Sequence, residues 1–144
     1  MKSTPSASSR RWLVKSEPET YSWADFVRDR TTDWTGVRNY AARLHLNAMQ
    51  VGDQVLFYES VSTKAVRGLA RVTRKAFPDA TADEPGWVAV QLEAIRPLSH
   101  PVPLERIKQE RSLARMVLLN NSRLSVQPVT AAEFATVVKA GDQG

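Results

Sequence analysis

The sequence has no cysteine, and this absence excludes several kinds of protein. Without a thiol the chain forms no disulfide, holds no thiolate-bound metal and has no cysteine nucleophile. The two histidines, His45 and His100, are far apart, and neither has a carboxylate or another histidine at metal-ligand spacing. A metal site is therefore not expected. A chain without cysteine also fits a reducing compartment.

Long apolar runs are missing as well. No run reaches the roughly 18 apolar residues that a membrane-spanning helix needs, so we expect no membrane partner. The start, MKSTPSASSRR, has no apolar region of the kind that a secretory signal contains. We predict a disordered tail at residues 1–10, one domain at residues 11–140 and a C-terminal tail at residues 141–144. These features favour a cytoplasmic protein.

The motifs of common enzymes are also absent. The patterns GxSxG and HExxH and the glycine-rich phosphate-binding loops do not occur. Glu17 and Glu19 flank Pro18 and could be posed as an acid and base pair. A solvated strand end is the simpler interpretation of two such carboxylates. We therefore predict a non-catalytic protein without a cofactor.

Charge gives a weaker indication. The formal net charge is +5, the pI is about 9.9, and 14 of the 20 basic residues are arginine. Arginine contacts phosphate through its planar guanidinium group, but a general bias towards arginine explains the composition more simply. A moderately basic chain is compatible with a polyanionic partner without demonstrating one.

Residue spacing predicts the secondary structure. Strands are expected at residues 11–16, 54–60, 66–77, 86–98 and 122–130. Helices are expected at residues 22–30, 39–50, 101–121 (in two pieces) and 130–140. Successive strands without strict alternation with helices predict an α+β fold. Its sheet would be an open, mixed and largely antiparallel β-barrel of about five to six strands with short helices outside.

Several local signals place the element ends. Ser22 with Asp25, and Thr130 with Glu133, have the capping-box spacing, and Asn39 is a natural N-cap. We also expect Pro97 to end its strand, Ser112 to cap the second helical piece near residue 112, and Trp34 and Gly36 to lie in a loop.

Five segments in this order resemble the EVE domain family: WLVKSEPETYSWADF, WTGVRNYAARLHLNAMQVGDQVLFYES, GLARV, FPD and RLSVQPVTAAEF. The resemblance extends from about Arg11 to Val138, and this family is similar to the YTH and ASCH domains of the PUA-like superfamily. It implies a PUA-like barrel that reads a modified base, most simply a methylated one, turned out of its stack. The implied partner is nucleic acid, with modified DNA favoured over RNA, and the implied state is a monomer. EVE members often occur with restriction systems in bacteria.

The resemblance also implies site residues. Trp34 matches a position of the aromatic cage. The implied base pocket is lined by Ser16, Glu17, Trp34, Val37, Asn39, Tyr58, Ser60, Ser125 and Gln127. The implied phosphate contacts are Lys15, Arg38, Arg43, Arg67 and Arg71. The chain departs from the family pattern at Ala41, where glutamine is common, and at Glu59, where histidine is common.

Each of these residues also has an ordinary structural explanation. Trp34 can cover the core, Asn39 can cap a helix, and Arg67 and Arg71 can belong to a solvated strand face. Two other functions use the same features. One is a small-molecule or nucleoside sensor, or an enzyme, with the same pocket; the other is a protein-interaction module on the basic strand face.

Overall fold

The computed structural model describes residues 10–143, so the predicted N-terminal tail lies outside the described residues except for Arg10. The elements are, in chain order, β1 (Arg11–Ser16), α1 (Trp23–Asp29), β2 (Thr31–Trp34), α2 (Tyr40–Ala48), β3 (Gln54–Glu59), β4 (Ala65–Pro78), β5 (Val88–Pro103), α3 (Leu104–Gln109), a 3-10 turn (Arg111–Leu113), α4 (Val117–Asn120), β6 (Val126–Val129) and α5 (Ala131–Gln143).

The six strands found between residues 10 and 143 form one sheet in the order β2-β5-β4-β3-β1-β6. Strand β1 pairs in parallel with β3, whereas the other neighbours are antiparallel. Register shifts along β4 and β5 bend these long strands, as bulges do. Strands β2 and β6 remain at opposite edges, so the sheet curls without closing. The predicted α+β fold, an open mixed barrel with outer helices, is confirmed.

Both faces of the sheet are covered by a core. Successive side chains of a strand point to opposite faces. Trp12 and Val14 of β1 therefore join one cluster of buried residues, and Leu13 joins the other. Likewise Phe57 of β3 packs in the first cluster and its neighbour Tyr58 in the second. This two-sided burial explains why residues 12–14 of β1 and residues 55–58 of β3 are buried without a gap.

The local caps are formed as predicted. Ser22 and Asp25 make a reciprocal capping box at the start of α1. Thr130 and Glu133 exchange the same pair of hydrogen bonds at the start of α5. The Asn39 side chain accepts a hydrogen bond from the backbone N–H of the third residue of α2.

Trp34 lies in a strand, so its assignment to a loop was wrong. Strand β2 pairs with β5, and Trp34 lies opposite Val90. A strand of four residues is too short to show the alternation on which sequence reading depends. Gly36 does lie beyond the strand, with a φ of 83°.

Strand β5 does not end at Pro97 as predicted, because it continues to Pro103. Pro97 lies opposite Gly68, directly beside a register shift between Val66 and Gly68. A bulge tolerates a residue that has no N–H group to donate to the ladder.

The segment after β5 also differs from the prediction. Ser112 does not cap the second helical piece, because it lies inside the 3-10 turn. That second piece is the short helix α4, which follows Met116 and has no side-chain cap. Helix α5 continues past residue 140, where the C-terminal tail was expected to begin. There Gly141 is buried and Asp142 forms an ion pair with Arg96 at 2.9 Å.

Candidate nucleic-acid interface

Two adjoining cavities open where β1 ends. The first cavity has a volume of about 510 Å³ and lies beside the connection from β2 to α2. The second cavity has a volume of about 460 Å³ and lies beside the connection from β3 to β4. The two cavities share Lys15, Glu17 and Ser125 in their walls. They are therefore neighbouring parts of one concave surface.

The predicted site residues divide between the two cavities. Those that line the first cavity are Lys15, Ser16, Glu17, Trp34, Val37, Arg38 and Ser125. Those that line the second cavity are Lys15, Glu17, Tyr58, Ser60 and Ser125. Asn39, Gln127, Arg43, Arg67 and Arg71 line neither of them.

The wall of the first cavity is fixed by Asp79, a residue that sequence reasoning missed. Its carboxylate accepts hydrogen bonds from the backbone N–H of Gly36 at 2.8 Å and from the Arg38 guanidinium at 3.0 Å. It also accepts from the Thr81 hydroxyl at 2.6 Å and from the Thr81 backbone N–H at 2.8 Å. The signal in the sequence was the spacing Asp-Ala-Thr, which suits a turn closed by an aspartate side chain.

Asp79 is ionised in this setting. Burial on its own would raise the pKa of the carboxyl group, because it disfavours the charged form. The hydrogen bonds from Thr81, Gly36 and Arg38 outweigh burial and hold the pKa well below its usual range. The carboxylate therefore fixes both the turn at Gly36 and the Arg38 side chain.

Trp34 has a structural role and also reaches the first cavity. Its ring makes edge-to-face contacts with Phe57 at 5.8 Å and Tyr21 at 6.3 Å, and a tilted contact with Phe26 at 6.5 Å. Only 9% of the residue is exposed, and Trp34 is among the residues that line the first cavity. The neighbouring aromatic rings hold its indole rigidly.

Three polar side chains of the predicted pocket are already hydrogen-bonded within the protein. The Ser16 hydroxyl donates to the Tyr21 carbonyl at 2.6 Å. The Asn39 amide oxygen accepts from the Ala42 backbone N–H at 2.9 Å, and Asn39 is an exposed residue. Gln127 is fully buried and donates to the Leu124 carbonyl at 2.7 Å, while its Oε1 has no partner among the described residues.

The predicted phosphate contacts differ in how their charges are used. Arg67 pairs with Glu59 at 3.0 Å, and Arg71 pairs with Glu93 at 2.8 Å. The Arg43 guanidinium carbon lies 4.9 Å from the Tyr40 ring centroid, and its Nη1 donates to the Gly86 carbonyl at 3.1 Å. These three arginines make their contacts within the protein and line neither cavity.

Lys15 is placed differently from those arginines. Its ammonium group donates to the Ser122 carbonyl at 2.6 Å, and burial lowers its pKa. Because it lines both cavities, it lies where a ligand spanning them would pass.

Two further properties concern other kinds of site. Over residues 10–143 no three histidine, aspartate or glutamate side chains come close enough together to hold a metal ion. Within the same residues no helix combines the length and the apolar character needed to cross a membrane.

Comparison with known proteins identifies the family. A family model described as the EVE domain matches residues 10–140. The chain belongs to the EVE domain family. Human thymocyte nuclear protein 1 is 33% identical over 164 residues, which cover 90% of this chain and 73% of the human protein.

Solved structures of EVE relatives have the same architecture. The structure of Rpa0253 from Rhodopseudomonas palustris is 45% identical, has a TM-score of 0.88 and covers 93% of this chain and 94% of its own. A crystal structure of human THYN1 protein in complex with 5-methylcytosine-containing DNA is 32% identical, has a TM-score of 0.87 and covers 94% of this chain and 99% of its own. An ASCH protein from Zymomonas mobilis, at 12% identity and a TM-score of 0.57 with 90% of this chain and 97% of its own covered, shares the fold alone.

Glu59, where this EVE domain departs from the expected family pattern, is buried and structural. Its Oε2 accepts a hydrogen bond from the backbone N–H of Trp23, the first residue of α1, at 2.7 Å. Its Oε1 forms the ion pair with Arg67. A carboxylate at this position favours the N-terminus of α1 and neutralises the charge of Arg67.

Proposed function

We propose that this EVE domain binds DNA containing a methylated cytosine and holds the modified base, turned out of its stack, in the first cavity without catalysing a reaction. The observation that carries the proposal is the relative of the same fold, 32% identical, in complex with 5-methylcytosine-containing DNA. The first cavity of about 510 Å³ is lined by aromatic residues, residues with hydroxyl groups and residues with carboxylates. Sites of this size and mixed character suit a flat polar ligand.

Stacking and methyl burial together give affinity rather than strong discrimination. Stacking of a base on an aromatic ring contributes about 1–3 kcal/mol. Burial of one methyl group contributes about 0.8 kcal/mol, which corresponds to roughly fourfold selectivity. Trp34 would supply the stacking contact from the exposed part of its ring. Larger discrimination requires directional groups on the base edge.

The polar groups at the first cavity fit cytosine. Cytosine presents an exocyclic amino group, which donates hydrogen bonds, and a carboxylate is a suitable acceptor for it. Glu17 lines the first cavity and is exposed, so its carboxylate is available for that contact. The hydroxyl groups of Ser16 and Ser125 lie in the same wall. Lys15 and Arg38 would contact the flanking phosphates.

Titration with matched duplexes tests the proposal. One duplex carries a single 5-methylcytosine and the other carries cytosine at the same position. We expect tighter binding to the modified duplex and an affinity that falls linearly on a logarithmic salt scale, as it does for phosphate contacts. Equal binding to both duplexes would contradict base reading, and a flat salt response would remove the phosphate contacts.

The stacking contact needs a variant that keeps the core. Trp34→Ala would leave a large void in the core, so Trp34→Phe is the better change, with Trp12→Phe as a control from the same buried cluster. We expect Trp34→Phe to weaken binding to the modified duplex by up to about tenfold, and Trp12→Phe to leave it unchanged. Unchanged binding by Trp34→Phe would show that the indole does not contact the base. If the protein turned over a substrate, and Glu17→Gln abolished that turnover without a loss of affinity, the proposal that the domain is not an enzyme would be contradicted.

A further inference from the structure

We infer that the second cavity is a subsite for the sugar-phosphate unit next to the flipped base, with Tyr58, Lys15 and Lys64 contacting its phosphate. This inference rests on the proposed function, because it concerns the same DNA strand. It adds a second contact region that the residues around Trp34 do not include.

The first support is the Tyr58 hydroxyl. Tyr58 is only 3% exposed and lines the second cavity. Its hydroxyl has no hydrogen-bond partner among the residues that the structure describes. The hydroxyl oxygen itself is not shielded from water, although the residue as a whole is buried, so it is reachable from the cavity. An unpaired donor in a cavity wall therefore marks a position that an acceptor atom of a ligand can fill.

The second support is the charge of the second cavity. Two ammonium groups, those of Lys15 and Lys64, lie in its wall, and Glu17 is the one carboxylate there. Neither lysine forms an ion pair with a carboxylate within residues 10–143. Ser60, Ser122 and Ser125 add hydroxyl groups to the same wall. The cavity thus offers several hydrogen-bond donors and a net positive charge, which suits a phosphate group.

The third support is the backbone of the connection from β3 to β4, residues 60–64. Val61 and Lys64 have φ values of 67° and 53°, a conformation that costs about 1–2 kcal/mol for residues other than glycine. Three contacts hold the connection: Ser60 N–H donates to the Ser16 carbonyl at 2.9 Å, the Lys64 carbonyl accepts from Leu104 N–H at 2.8 Å, and the Ser62 hydroxyl donates to Glu19 at 2.7 Å. Strained conformations persist where the surroundings enforce them, and they concentrate at ligand sites. Lys64 is therefore held at the cavity wall before any ligand binds.

The fourth support is the continuity of the two cavities. Lys15, Glu17 and Ser125 belong to both walls, so the two cavities meet at these residues. We expect the sugar of a base in the first cavity to lie at this boundary. The phosphate that follows must leave along the protein surface, and the second cavity is its immediate neighbour. One strand can therefore occupy both cavities without a bend back over the protein.

Neutral backbone linkages test the inference. Duplexes with one 5-methylcytosine are made with a methylphosphonate at the linkage on either side of it, which removes one phosphate charge. We expect one of the two linkages to weaken binding by wild-type protein about fivefold to tenfold, and the salt slope to fall by about 0.9. In the Lys64→Asn and Tyr58→Phe variants, the same methylphosphonate linkage should weaken binding less than twofold. Asparagine is chosen because it tolerates the left-handed backbone at position 64.

Matched controls separate the local effect from a general loss of charge or structure. Lys75→Gln removes an exposed lysine from β4, and Tyr40→Phe removes an exposed tyrosine hydroxyl outside both cavities. Both controls should retain the wild-type sensitivity to the neutral linkage. All four variants should still prefer the modified duplex.

The outcomes distinguish this inference from the proposed function. If Lys64→Asn and Tyr58→Phe remain as sensitive as wild type while the preference for 5-methylcytosine persists, the subsite is overturned and the base reader stands. If the wild-type protein shows no preference for the duplex with 5-methylcytosine, both the proposed function and the subsite are contradicted. Inorganic phosphate can be titrated while the NMR resonances of Tyr58 and Lys64 are followed. If phosphate shifts these resonances and bound DNA does not displace it, the second cavity binds a free anion and the subsite is overturned.

Discussion

Asp79 and Glu59 are both buried carboxylates that pair with an arginine and accept a backbone N–H group from a distant segment. Asp79 receives four hydrogen bonds, from Gly36, Arg38 and two groups of Thr81, and it fixes the wall of the first cavity. Glu59 receives two, from Trp23 and Arg67, and it fixes the start of α1. A buried carboxylate therefore fixes two parts of the fold, the wall of the first cavity through four hydrogen bonds and the start of α1 through two.

The comparison shows what arginine does in this fold. Arg38 and Arg67 both resemble phosphate contacts in the sequence, yet each lies 3.0 Å from a buried carboxylate. A buried carboxylate without its partner is strongly unfavourable, so both arginines are held by the protein first. Only Arg38 also lines a cavity, where the outer part of its guanidinium can meet a ligand. Glycine and aromatic residues around an arginine in the sequence therefore do not indicate whether its charge is available to a ligand. The charge can already be paired with a buried carboxylate.

The largest effect is expected from removal of Asp79. Asp79→Ala leaves Arg38 and the Gly36 N–H without their acceptor, so we expect the free energy of unfolding to fall by about 3–5 kcal/mol. Urea denaturation measures this change. Asp83→Ala, an exposed aspartate in the same connection, should change stability by less than about 0.5 kcal/mol. Equal losses in the two variants would show that the Asp79 contacts do not stabilise the protein.

A smaller effect is expected from Glu59→Ala. It removes two hydrogen bonds rather than four, so we expect a loss of about 2–3 kcal/mol in the free energy of unfolding. The matched control is Glu93→Ala, which breaks the more exposed ion pair with Arg71 and should cost at most about 1 kcal/mol. If Glu59→Ala lowers the free energy of unfolding as much as Asp79→Ala does, the number of hydrogen bonds to the carboxylate does not determine the size of the loss.

The dependence of stability on pH provides a third test. Because the pKa of Asp79 is lowered in the folded state, its contribution is fully present above the ordinary aspartate pKa of about 3.9 and is lost as the pH falls below it. The loss continues down to the folded-state pKa, so urea midpoints of wild type and Asp79→Asn, measured from pH 6 down to pH 3, should draw closer as the pH falls. Parallel curves across this range would contradict the lowered pKa.

The smallest effect is expected at the arginines themselves. Lysine in place of Arg38 retains the charge but cannot contact Asp79, Thr81 and the Val37 carbonyl together. We expect Arg38→Lys to lower the free energy of unfolding by about 1 kcal/mol. Thermal or urea unfolding of Arg71→Lys, a surface pair, should show a change within about 0.5 kcal/mol. The reverse order would indicate that Arg38 contributes only charge.

The features that sequence reasoning identified depend on neighbouring residues. The capping boxes at Ser22 and Thr130 have both partners within three residues, so their spacing is visible in the chain. The long strands and the order of elements follow from local periodicity in the same way. The predicted fold was therefore confirmed, whereas the four-residue strand β2, too short to show a period, was missed.

The division of the site into two cavities depends on topology. Trp34 packs against Phe57 on one face of the sheet, and the next residue, Tyr58, points to the opposite face. Alternation along β3 is readable from sequence, but which face adjoins which loop depends on the strand order. The role of Asp79 was hidden for a similar reason, because its partner Gly36 lies 43 positions away.

The position of β1 has a consequence for how the chain folds. This first strand is enclosed by β3 on one side and by β6 on the other, and Val14 pairs with Val126. Bringing these strands together closes a loop of about 110 residues, which costs conformational entropy, so we expect this contact to form late. During synthesis β3 emerges early and can cover one edge of β1. The other edge of β1 stays unpaired until β6, near the end of the chain, has been made. Unpaired apolar edges associate with one another. A chain that stops short of β6 therefore exposes, in its own first strand, a template for aggregation.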